Sequence, residues 1–163
     1  QVCDLRAAYD DLPIFTKEKI EQLVAVHSIF TSRAILGFDS FSAEENERLP
    51  PICRSIVRVH PGSKRQTLYL ASHIGRIIGL PVAEGRLLIR DLIEHATQPK
   101  YIYTHHWSSG DTLLWDNRCT MHRAMPFDEG SYRRDMRRAT VMETEIAPIE
   151  GEGDFSLDEN QPS

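Results

Sequence analysis

The sequence predicts an α+β fold with a mainly β core, a β-sandwich or jelly roll carrying helices on its outside. Three observations lead there. Residues 55–72 alternate apolar and polar side chains with a period of two, residues 82–98 carry a helical stripe, and beyond residue 101 short alternating runs succeed one another without helices between them. A parallel α/β fold is disfavoured, because helices do not alternate with these last strands. With 163 residues, 40% of them hydrophobic, the chain has room for one domain with a real core.

The elements follow in order. Asp4 is placed to cap a short helix over Leu5, Ala8 and Tyr9, and Pro13 interrupts it before Thr16 can cap a second one. That second helix is expected over "KEKIEQLVAVHSIF", where Ile20, Leu23, Val24 and His27 fall at helical spacing and put His27 on or beside the buried stripe. Residues 37–51 read as a loop by composition, with a short helix from Ser42. "SIVRVH" and "QTLYLAS" flank "PGSKR", a hairpin signal. Pro81 sits where a helix would begin, Val82, Leu88, Leu92 and Ala96 form its stripe with Ile89 and Ile93 widening it, and Pro99 ends it. "YIYTHHW", "TLLWD", "RCTMH" and "RRDMRRATVMETE" are then expected as strands.

Charge and cysteine usage narrow the function. The formal net charge of -5 comes from Glu150, Glu152, Asp154, Asp158 and Glu159, leaving 19 acidic against 19 basic residues in the rest. The basic footprint of a nucleic-acid binder is absent. Residues 1–147 are therefore expected to form the domain and residues 148–163 a disordered acidic tail. Cys3, Cys53 and Cys119 are odd in number and far apart, which indicates neither a disulfide framework nor a thiolate zinc site. No apolar run approaches a membrane span and the first residues lack a secretory pattern, so the chain reads as soluble, unexported and cytoplasmic. It opens without methionine and already amphipathic, as a fragment would.

The stretch "WDNRCTMHRAMPFDEGSYRRDMRRATV" concentrates the chemistry. As a strand, residues 133–141 would set Arg134, Met136, Arg138 and Thr140 on one face and Arg133, Asp135, Arg137 and Ala139 on the other. Such a ladder is ordinary solvent-facing charge, or its Met136 face lines a pocket in which two guanidiniums demand anions. Arg134 and Arg138 would then lie roughly 13 Å apart, which suits two ligands better than one. His122, at a strand end, is by spacing alone more often structural than a metal ligand. His105 and His106 would point to opposite faces and cannot readily share an ion. His73 follows a strand and is a candidate substrate contact, with packing the commoner outcome. Trp115 and Met136 are expected in the core, Asp116 and Asn117 as turn-shaping residues, and Cys119 opposite His122.

"GDTLLWDNRCTMHRA" followed by "RRDMRRAT" resembles the signature of the taurine and 2,4-dichlorophenoxyacetate dioxygenase family, and "CDLRAAYDDLP", "GLPVAEGRLL" and "LIEHATQ" resemble its phenoxyacetate branch. The resemblance implies a double-stranded β-helix (jelly roll) with flanking helices, present only in part. It implies an iron(II)- and 2-oxoglutarate-dependent dioxygenase that hydroxylates a small anionic organic substrate, aryloxyalkanoate- or sulfonate-like, with O2, releasing succinate and CO2. His122 matches the family's second metal-binding histidine, Arg134 the arginine that holds the distal carboxylate of 2-oxoglutarate, and Arg138 the arginine for the substrate's anionic group. A planar guanidinium bonds a carboxylate through two hydrogen bonds, which lysine cannot. The family often forms dimers or higher assemblies, so a homo-oligomer is expected by analogy.

One part of the pattern is missing. A facial triad also needs a His-x-Asp or His-x-Glu pair, and none of the seven histidines has an acid two residues on. In the family that pair, and a threonine that helps hold 2-oxoglutarate, precede the matching region. Either those residues exist in the full protein, or the chain is a non-catalytic jelly roll that binds a small carboxylate.

Overall fold

In chain order the elements are β1 (Val2–Asp4), α1 (Leu5–Asp10), α2 (Ile14–Ile20), β2 (Val24–His27), α3 (Ile29–Ile35), α4 (Ala43–Arg48), β3 (Ile52–Ser55), β4 (Val57–Val59), β5 (Gln66–Leu68), β6 (Ile74–Ile77), α5 (Val82–Ala96), a 3-10 turn (Pro99–Tyr101), β7 (Ile102–Tyr103) and β8 (Thr120–His122). They are taken from a computed structural model that describes residues 1–38, 40–131 and 133–141, the side chains of Ala43 and Asn46 excepted. Two units are distinguished, Gln1–Met125 and Pro126–Ser163, and every element named above lies in the first.

The strands make three small antiparallel sheets, ordered β7-β1-β8, β3-β2-β6 and β4-β5. The mixed α and β composition and the antiparallel pairing agree with the sequence reading. β1 owes its place to its two neighbours: Val2 pairs with Tyr103 on one side and with His122 on the other.

Several elements arise where local chemistry predicts them. Asp4 accepts hydrogen bonds from the N–H groups of Arg6 and Ala7 at 2.9 and 3.3 Å and so caps α1. Ser42 and Glu45 form a reciprocal capping box at α4. The β4–β5 hairpin forms with Val57 opposite Leu68 and Val59 opposite Gln66. In α5, Ile89, Leu92 and Ala96 are buried as the stripe requires, and Gly85 brings the helix close to β6, where an added Cβ would stand 3.3 Å from the Ile77 nitrogen. The core of this unit gathers Leu5, Ala8 and Tyr9 of α1 with Ile20, Ile56, Leu68, Ile77, Leu92 and Tyr101.

Other expectations are corrected. The second helix does not reach His27: α2 stops at Ile20, Thr16 lies inside it, and Val24–His27 is a strand. Position between β3 and β6 outweighs the helical spacing, since a strand covered on both edges buries Ala25, Val26 and His27 together. "TLLWD" is not a strand, and Leu114 is 94% exposed. In "YIYTHHW" only Ile102 and Tyr103 pair.

In the second unit, the described residues 126–131 and 133–141 form neither helix nor strand. Asp128 accepts from the N–H groups of Gly130 and Ser131 at 3.1 and 3.2 Å and closes a turn. The expected arginine strand is therefore absent over residues 133–141, which are all exposed, Met136 included, and the two-faced ladder is not formed there. A run with four arginines in nine residues offers no apolar face to bury. The acidic tail of residues 148–163 lies outside the described residues.

Candidate functional site

His122 ends β8, the strand that pairs with β1, and its exposed imidazole rests against the half-buried Trp115 ring, 4.9 Å between centroids. An exposed imidazole at the end of an anchored strand is chemically suited to ligate iron(II). Trp115 is held in turn, its indole N–H donating to Asn117 Oδ1 at 2.9 Å.

Behind that strand end lies a polar cluster that sequence reading did not assemble. The Arg118 guanidinium donates to the Asp116 carboxylate through Nε and Nη2, at 2.9 and 2.7 Å, and the Arg118 backbone N–H adds a bond of 2.9 Å. His60, only 8% exposed, reaches the same carboxylate from the β4–β5 hairpin with Nε2 3.0 Å from Oδ2. Its Nδ1 accepts the Ser63 N–H at 3.0 Å, which makes Nε2 the nitrogen that carries the proton and donates to Asp116. Arg118 foremost, with help from His60 and against the effect of burial, holds the Asp116 carboxyl well below the usual carboxylate range.

Among the described residues, His60, Asp116 and Cys119 are close enough to share a metal ion, their candidate ligand atoms lying within 4.8 Å of one another. The chemistry argues against it. Both ring nitrogens of His60 are engaged, Arg118 sits 2.7 Å from the carboxylate oxygen an ion would need, and burial pushes the Cys119 thiol up, away from thiolate. The cluster is a hydrogen-bonded brace, and Asp116 does shape the turn before β8, as expected.

A second group surrounds His73. The ring of His27, at the end of β2, meets His73 edge-on with centroids 5.1 Å apart and also packs against Tyr69, which lies under the Arg58 guanidinium. His27 is 7% exposed and its Nε2 has no hydrogen-bond partner among the described residues. Burial first, then His73, Arg54 and Arg58, lowers the His27 pKa to about 4, and burial lowers that of His73. Both rings are therefore neutral at neutral pH. His105 makes separate use of its nitrogens, bonding Tyr103 Oη at 3.1 Å and Asp111 Oδ2 at 3.0 Å.

In the second unit Arg134 lies over the Phe127 ring, 5.6 Å from its centroid, and Arg138 is exposed. The structure thus places His122 and His73 within the first unit, and Arg134 and Arg138 within the second. Of the missed residues, Arg118 carried a readable signal, an arginine two residues after the turn-shaping Asp116. His60 carried none, because its partner lies 56 residues away.

Comparison with known proteins adds the chain's relatives. The model of the taurine catabolism dioxygenase TauD, TfdA family matches residues 1–140. The alpha-ketoglutarate-dependent 2,4-dichlorophenoxyacetate dioxygenase of Burkholderia sp. (strain RASC) is 46% identical over 142 residues, covering 87% of this chain and 48% of that protein. The (S)-phenoxypropionate/alpha-ketoglutarate-dioxygenase of Sphingobium herbicidovorans is 40% identical over 131 residues, covering 77% and 46%. Among solved structures, AAD-2 in complex with Mn(II) and N-oxalylglycine superposes with a TM-score of 0.71 at 48% identity, covering 78% of this chain and 50% of that one. The chain spans about half the length of the curated relatives it matches.

Proposed function

The chain belongs to the TauD/TfdA family, and from that premise we propose that the whole protein is an iron(II)- and 2-oxoglutarate-dependent dioxygenase. It hydroxylates a small anionic organic substrate of the aryloxyalkanoate or sulfonate kind with O2, releasing succinate and CO2. The observation that carries this reading is 46% identity across 142 residues to a dioxygenase named for an aryloxyalkanoate. The three antiparallel sheets are then parts of a jelly roll. Among the described residues no helix is long and apolar enough to cross a membrane, and a cytoplasmic location is part of the proposal.

His122 is the ligand this chain offers to iron, and a His-x-Asp pair elsewhere in the protein supplies the rest. Held there together with 2-oxoglutarate, iron(II) would supply the activation of O2. N-oxalylglycine, bound in AAD-2, has the 2-oxo dicarboxylate outline of that cosubstrate. Arg134 takes the distal carboxylate of 2-oxoglutarate and Arg138 the anionic group of the organic substrate, each with the paired donors of a guanidinium. His73, kept neutral by burial, gives the substrate a hydrogen bond without adding a charge. Trp115 fixes the His122 ring through direct contact.

The test is turnover. The complete protein, given iron(II), 2-oxoglutarate and 2,4-dichlorophenoxyacetate, is expected to form succinate in step with substrate loss, read by NMR, and His122→Ala to abolish it. A His122→Ala protein that turns over like the parent refutes the assignment of His122.

A further inference from the structure

The brace behind β8 connects to His122 by two routes. Along the backbone, the carbonyl of Asp116 accepts the Thr120 hydroxyl at 2.7 Å and the Cys119 N–H at 3.3 Å, and Thr120 begins the strand that His122 ends. Through side chains, Trp115 is the residue before Asp116, and its ring is the surface on which the His122 imidazole rests. Asp116 thus stands at the root of both. Arg118 alone could close this turn, being only two residues away. His60 adds something different, because its ring is nearly buried, both its nitrogens are used, and it arrives from a hairpin 56 residues earlier.

That hairpin is itself fixed. The His60 N–H donates to the Arg65 carbonyl and its carbonyl accepts the Lys64 N–H, both at 2.8 Å. The turn before β8 is tied down in addition by the Leu5 N–H, which donates to the Cys119 carbonyl at 3.0 Å. The turn before β8 is thereby clamped between the hairpin and the start of α1.

We infer that His60 and Asp116 are positioning residues for His122: the His60–Asp116 hydrogen bond sets the turn that carries both the His122 strand and the Trp115 ring beneath it. The inference deepens the reading of His122 as a metal ligand and rests on it for its functional consequence. A ligand held in one orientation binds an ion more tightly than one that must be ordered on binding, and partners behind a ligand typically matter by about 10–100-fold in metal affinity.

The experiment has two readouts. Without metal, the His122 ring signals and the amides of Thr120–His122 are followed by NMR in this chain for His60→Ala, His60→Gln and Asp116→Asn. His60→Ala is expected to shift and broaden them, whereas His60→Gln, whose carboxamide N–H can replace the Nε2 donor, restores them. In the complete protein, Mn(II) affinity read by EPR is expected to fall about tenfold for His60→Ala and to stay within about threefold of the parent for His60→Gln. If His60→Ala does not fold, Asp116→Asn carries the same two measurements. Unchanged His122 signals and unchanged Mn(II) affinity overturn the inference, and so does a His60→Gln protein as impaired as His60→Ala. Shifted His122 signals with Mn(II) affinity untouched by His122→Ala would leave the positioning role intact and remove the metal reading.

Discussion

Mild acid is expected to destabilise the chain through His27, beginning well above the pH at which carboxylates protonate. The His27 ring is buried against Tyr69 and His73, and burial brings its pKa from the ordinary 6.5 to about 4. A histidine with a lowered folded pKa is protonated more readily in the unfolded chain, so stability is complete above the unfolded value. It declines as pH falls from about 6.5 towards 4. With those two values the linkage relation gives a loss of about 2 kcal/mol between pH 8 and pH 5, and about 3 kcal/mol once pH is well below 4. His73, also lowered by burial, adds loss of the same sign. Urea unfolding at pH 8, 7, 6 and 5 measures this directly. His27→Phe keeps an aromatic ring at the site and removes the titration, so its stability is expected to fall by about 2 kcal/mol less over the same range. Parallel pH profiles for the parent and His27→Phe would show that His27 is protonated as easily in the folded chain as in the unfolded one, and the reasoning would fail.

Further expectations can be measured alongside. In the complete protein, Arg134→Ala should raise the 2-oxoglutarate KM by about 10–100-fold, and Arg138→Ala should raise the KM of the organic substrate by a similar factor, each from losing a charged pair worth about 1.5–3 kcal/mol. If both changes leave both constants intact, the assignment of the two arginines is wrong. Asp4→Ala removes the cap of α1 and should cost about 1 kcal/mol in urea unfolding, an effect that vanishes in acid, since the Asp4 carboxyl is held below its ordinary value by hydrogen bonds from Arg6 and Ala7 that outweigh burial. Leu68→Ala empties a fully buried position where β5 meets α1 and should cost about 2–5 kcal/mol.

What could be read from the sequence depended on the range of the interaction that decides each element. Helix α5 was legible because its stripe runs over several turns between Pro81 and Pro99, and the β4–β5 hairpin because its turn residues are local. Strand β2 was not, since Ile20, Leu23, Val24 and His27 satisfy a helical period and four strand residues are too few to assert a period of two. Its neighbours β3 and β6 decide the matter, and they lie tens of residues away in sequence. The metal role of His122 is legible only through resemblance to a family signature. The brace behind it joins residues whose pairing no local pattern announces, and His60 meets Asp116 only because the hairpin packs against a turn 56 residues on.

The placement of β1 bears on the order in which the molecule is built. Three residues at the start of the chain form the middle strand of the sheet that holds His122, so the Val2–His122 pairing closes a loop of about 120 residues. Closing a loop of that length costs on the order of 4 kcal/mol in chain entropy before any contact repays it. The β4–β5 hairpin and α5 need no such closure and can organise first. Loop closure alone would have folding run from local pieces towards this distant pairing, with the seat of His122 expected among the later parts to be fixed.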